Sequence, residues 1–136
     1  SDEWLTVAQD AYKSIYGFEW QGDNLLLARE AMLYTFIENY EFKFGKCPLA
    51  ASIKCIANII SWNIWQMDGL KAVVPNSCRT ELIISQDLFG GSTSQKKICE
   101  GCAKGDIHKH NGFYCKIMDW QTGKSIKFVS LIKGQT

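Results

Sequence analysis

The chain has 136 residues, 46% of them apolar and 21% charged, with a formal net charge of +1. This is the make-up of an ordinary globular domain with room for a single core. No apolar run approaches the ~20 residues that a membrane-spanning helix needs. The net charge conceals an asymmetry: residues 1–90 carry 7 basic and 11 acidic side chains, and residues 91–136 carry 8 and 3.

Trp4, Leu5, Ala8, Ala11, Tyr12 and Ile15 recur at helical spacing behind Asp2, a suitable N-cap. Residues 15–20 read as a short buried strand ending in Glu19. After the turn 21–24, Asp23 opens a long helix whose apolar stripe is Leu26, Leu33, Ile37, Tyr40 and Phe44 and whose stop is Gly45. Pro48 suits the first turn of a further helix, where its missing N–H costs nothing; Ile53, Ile56, Ala57 and Ile60 form its inner face. A second short strand, residues 63–67, ends at Asp68-Gly69. Two strands separated by helices are expected to pair in parallel through a right-handed crossover. Residues 71–112 show little periodicity and include a linker-like Gly90-Gly91-Ser92-Thr93-Ser94. Residues 114–120 and 125–132 then read as an antiparallel hairpin. The expected division is a strand-helix-helix-strand unit over 1–70, an insertion over 71–115 and the hairpin over 116–136. The fold class is α/β.

The insertion carries the most specific chemistry. Cys99-Glu-Gly-Cys102, followed by His108, His110 and Cys115, has the local spacing of a tetrahedral zinc site. Cys99, Cys102 and Cys115 are the expected thiolates, and Cys78 and His110 compete for the fourth position, with His108 as a further candidate. The His110–Cys115 option would resemble a nucleic-acid-binding zinc knuckle; the Cys78 option would clip a longer loop with four thiolates. Either way protein fills every position, so the zinc reads as structural. Free thiols or a disulfide are the alternatives. Cys47 and Cys55 lie in helix-like apolar segments, so the cysteines do not read as a secreted disulfide framework, and a reducing, cytoplasmic setting is expected. Core packing is the expected role of Trp4, Trp62 and Trp65, whereas Trp120, beside lysines at the hairpin end, is the best surface candidate.

Ligands of open α/β sheets bind at the carboxyl ends of the strands, where Glu19 and Asp68 lie; both acids could equally cap neighbouring turns. The residues around them point further. Tyr16-Gly17-Phe18-Glu19 with Asn24-Leu25-Leu26-Leu27-Ala28-Arg29-Glu30, and Asn63-Ile64-Trp65-Gln66-Met67-Asp68-Gly69-Leu70, resemble bacterial N6-adenine DNA methyltransferases of restriction-modification systems. The zinc insertion and the Asp119-Trp120 and Ile126-Lys127-Phe128 hairpin also resemble members of that group, so that the likeness spans roughly residues 10–135. It implies a partial Rossmann-like fold that binds S-adenosylmethionine, with Glu19 on the ribose, Asp68 on the adenine amine, and Trp20 and Met67 as apolar neighbours of the ring. It also implies DNA and the remainder of the enzyme as partners. Two family features are missing: a glycine-rich loop before the first strand, and the Asn/Asp-Pro-Pro-Tyr/Phe segment that holds a flipped adenine. The prolines are Pro48 and Pro75 alone. The expectation is therefore a fragment with half a cofactor site, no catalytic residue and no activity by itself, whose bare face would favour a homodimer. The other expectations are a zinc-dependent nucleic-acid-binding module or a structural, protein-interaction domain.

Overall fold

A computed structural model describes residues 1–133. In helix α1 (Asp2–Lys13) the N-cap position falls to Ser1 rather than to the expected Asp2, without a side-chain capping bond, and Asp2 and Glu3 lie in the first turn, where their charge complements the helix dipole. Strand β1 (Gly17–Glu19) leads into α2 (Gly22–Phe44), which ends at Gly45 with φ +66° and the Gly45 N–H on the carbonyl of Glu41. Helix α3 (Ala50–Asn63) starts two residues after Pro48, because Leu49 takes the extended conformation of the N-cap. It passes straight into β2 (Ile64–Gln66) without a loop. As expected, β1 and β2 pair in parallel, with Gly17 opposite Ile64, Phe18 opposite Trp65 and Glu19 opposite Gln66.

The face that α2 buries follows the expected stripe at Leu33, Ile37, Tyr40 and Phe44 and departs from it at the helix start, where Leu25 is buried and Leu26 is 63% exposed. With Leu25, Leu26 and Leu27 in succession the helix start is apolar all round, so periodicity cannot choose the inward face. Leu25 and Phe36 join Ile56, Ile59, Ile60 and Ile64 in the first core, over which α1 lays Trp4, Leu5, Ala8 and Tyr12. Trp4 meets Phe36, Tyr40 and Phe44 at ring separations of 5.6–6.0 Å.

Residues 71–112 hold more structure than their sequence announced. Strands β3 (Glu81–Gln86) and β4 (Ser92–Lys97) form an antiparallel hairpin, and α4 (Glu100–Lys104) is a short helix. The stretch from Gly90 to Ser94 is the hairpin's turn and the start of its second strand, not a linker. Asp87 makes the turn, its Oδ1 accepting the N–H groups of Phe89 and Gly91. Every residue of both strands is exposed, so β4 needed no apolar alternation and gave none to read.

The final hairpin is shorter than expected: β5 (Lys116–Asp119) and β6 (Lys124–Lys127), followed by a 3-10 turn over Phe128–Leu131. That turn drives Val129 inward. Met67, Ala72, Cys115 and Val129 make a second buried cluster, with Phe18, Ile107, Tyr114 and Phe128 against it. The insertion and the hairpin thus share a core with β1 and β2. Trp120, expected at the surface, packs on the first core and donates from Nε1 to Oδ1 of the buried Asn63 at 2.9 Å.

Candidate functional site

The turn around Gly101 builds the metal centre. The Gly101 N–H donates to the carbonyl of Lys109 at 2.9 Å, and that of Asp106 to the carbonyl of Gly101 at 3.0 Å, folding 99–110 back on itself. A Cβ on Gly101 would lie 2.7 Å from both the backbone N and Nδ1 of His110, so only glycine lets the imidazole close over it. The fold then brings Cys78, Cys99, Cys102 and His110 together, their ligand atoms all within 4.8 Å of one another. His110 Nδ1 stands 3.5 Å from Sγ of Cys78, 3.5 Å from that of Cys99 and 3.6 Å from that of Cys102. A tetrahedral ion with ordinary Zn–S and Zn–N bonds has S···N edges of about 3.6 Å. Three soft sulfurs and one imidazole at that spacing fit zinc and fill all four positions, as a structural site requires.

Cys78 and His110 therefore stand in one cluster and are not alternatives. Cys115 lies outside it: buried in the second core, its thiol donates to the carbonyl of Gln66 at 3.1 Å, and burial pushes it up to about 11. His108 is exposed and also apart, lining a recess of about 520 Å³ with Lys104, Asp106 and Lys133. Burial raises the Cys99 thiol, but N–H groups of Asn111 and Cys102 and the side chains of His110 and Cys78 outweigh it, bringing it down to about 6. Burial, then the neighbouring Cys102 and Cys99, push Cys78 up to about 11. Lys71 is held above the ordinary lysine range chiefly by the neighbouring Cys102 thiol, with Cys78 and Asp68 adding to it.

A cleft of about 420 Å³ opens at the carboxyl ends of β1 and β2, lined by Trp20, Gln21, Gly22, Asp23, Gln66, Pro75 and Asn76. Next to it, sharing Gln66, a recess of about 200 Å³ is lined by Leu25, Arg29, Trp65 and Val74. The Arg29 guanidinium lies 5.3 Å over the Trp65 ring and donates to the carbonyls of Ile64 and Ser61, which close the end of α3.

Of the four expected cofactor residues, Trp20 lines the cleft; Glu19, the residue before it, is not among the lining residues, and one of its carboxylate oxygens accepts the Gln21 N–H at 3.2 Å. Met67 is packed into the second core. Asp68 is 4% exposed and caps its own turn, Oδ1 accepting the Leu70 N–H at 2.9 Å. Gln66, Pro75 and Asn76 are not singled out by the sequence reading; the Pro-Asn turn signal is the cue for the last two, while Gln66 is placed only by its register opposite Glu19 in the folded chain.

The chain matches no family model, no curated protein and no solved structure.

Proposed function

We propose that this chain is part of an S-adenosylmethionine-dependent DNA adenine-N6 methyltransferase of a restriction-modification system, contributing part of the cofactor cleft and a structural zinc centre. The reading rests on one observation: a parallel strand pair with a helical crossover whose carboxyl ends open on a cleft bounded by the start of α2. That is where open α/β sheets take nucleotides. The Glu19 carboxylate, at the end of β1 next to the cleft-lining Trp20, would take a ribose hydroxyl in this reading, and Trp20 offers a flat apolar surface to a base. Asp68, turned inward, has a different part: it shapes the 68–72 turn beneath the cleft. Bound S-adenosylmethionine would supply the transferable methyl group; these residues bind and orient. The glycine-rich loop and the segment that grips the flipped base come, in this reading, from elsewhere in the enzyme, and the open edges of the two-stranded sheet are where further strands would add.

Calorimetric titration of the zinc-loaded chain with S-adenosylmethionine and S-adenosylhomocysteine tests this. Saturable binding that Glu19→Ala weakens at least tenfold supports the reading, and no heat with either compound at millimolar concentration speaks against it. A second reading, a zinc-dependent nucleic-acid-binding module, is favoured by the exposed β3–β4 hairpin, which carries Lys96 and Lys97 at the end next to the metal centre and exposed Leu88 and Phe89 at its tip. Salt-dependent DNA binding that shortening the hairpin abolishes would favour it.

A further inference from the structure

We propose that the metal centre fixes the outer wall of the cleft, so that metal occupancy and nucleoside binding are thermodynamically linked; the nucleoside half of this rests on the function proposed above. The wall is Pro75-Asn76, the two central residues of a turn in which the Ser77 N–H donates to the carbonyl of Val74 at 3.1 Å. Proline at its second position and Asn76 at φ +60° at its third are the residues that a type II turn calls for. Cys78 follows at once.

The turn is held from the metal side. The Val74 N–H donates to the carbonyl of Phe113 at 2.8 Å, and the Phe113 N–H donates to Ser77 Oγ at 3.0 Å. Gly112 lies so close that a Cβ there would stand 2.5 Å from Ser77 Oγ and 2.9 Å from the backbone N of Cys78. Residues 110–113 are in turn placed by the cluster. His110 is one of its members, and the Asn111 N–H reaches Cys99 Sγ at 3.2 Å. The Asn111 side chain clasps the backbone of Arg79, accepting its N–H and donating to its carbonyl, each at 2.9 Å. Among the described residues no hydrogen bond ties Pro75 or Asn76 to the facing wall of Trp20 to Asp23. The Asp68–Val73 and Val73–Tyr114 bridges hold the near end of this turn to the second core; an ion joining Cys78 to Cys99, Cys102 and His110 would hold its far end, and so fix both ends of the wall. By linkage, whatever the ion adds to nucleoside affinity a bound nucleoside adds to ion affinity.

The experiment takes the full chain zinc-loaded, after chelation, and as Cys78→Ala, which frees the wall while Cys99, Cys102 and His110 still offer three ligands. Amide hydrogen exchange is followed at residues 74–78 and, as a control, at 56–60 in the first core; S-adenosylhomocysteine affinity is measured on each form. The expected result is exchange at least tenfold faster at 74–78 in both zinc-free and Cys78→Ala protein, with 56–60 unchanged in the variant, and affinity at least tenfold weaker. Unchanged exchange at 74–78 in Cys78→Ala overturns the proposal, and so does equal affinity in all three forms. If the zinc-loaded chain takes up no S-adenosylhomocysteine, the proposed function falls and the exchange data alone decide whether the ion holds the wall. Should chelation loosen residues 56–60 as well, Cys78→Ala decides.

Discussion

Single residues carry more of this molecule than their chemistry announces. Asn63 is fully buried, donates to the carbonyls of Tyr12 and Lys13, and accepts from Trp120. It joins the end of α1, the end of α3 and the C-terminal hairpin. Asn63→Ala leaves those partners unmatched, and a loss of about 1–3 kcal/mol in urea unfolding is expected. Gly101→Ala removes no ligand, yet its methyl group meets His110, so zinc affinity measured by chelator competition should fall at least tenfold. Cys115→Ser should keep one zinc per chain, whereas His110→Ala should lose it; metal content by mass spectrometry distinguishes them. The protonation states add a pH dependence. Cys78, held up to about 11, must lose a proton to bind zinc at any lower pH, and Cys99, at about 6, gains one below that value. Zinc affinity should thus rise by roughly tenfold or more per pH unit between 6 and 9, and fall more steeply below 6.

At the scale of elements, the β3–β4 hairpin stands apart. Its strands pack principally on each other, and Leu82, Ile84, Leu88 and Phe89 are all more than half exposed. A lone two-stranded hairpin is marginal in water. Its base is held because Cys78 and Cys99, just outside the two strands, belong to one cluster. Replacing residues 83–95 by Asn-Gly should leave the thermal midpoint and zinc content unchanged, and a fall in either would show that the hairpin supports the fold. The short parallel pair gains its stability differently, from α2 and α3 covering one face and the second core beneath it.

For the whole molecule, two cores meet at the β1–β2 pair, one under the helices and one shared by insertion and hairpin, with the metal centre beside the second. No described helix is long and apolar enough to cross a membrane. The order of helix, strand, two helices and strand, and the parallel pairing of the strands, followed from the sequence because each element carries its own signal: helical spacing behind a cap, short apolar runs, Gly45 at a helix end. The Cys-x-x-Cys pair was legible for the same reason, since both of its ligands sit on one turn. What joins residues far apart in the chain was not legible. Cys78 and Cys115 are equally good thiolates in the sequence; only packing sends one to the cluster and the other to the carbonyl of Gln66. Likewise Asp68 and Met67 look like cleft residues until the 68–72 turn carries both inward, and Pro75-Asn76 look like a loop until they face Trp20. Local spacing set the elements and half of the metal site. The remaining ligands and the walls of the cleft depended on burial and long-range contacts, which no short window of sequence contains.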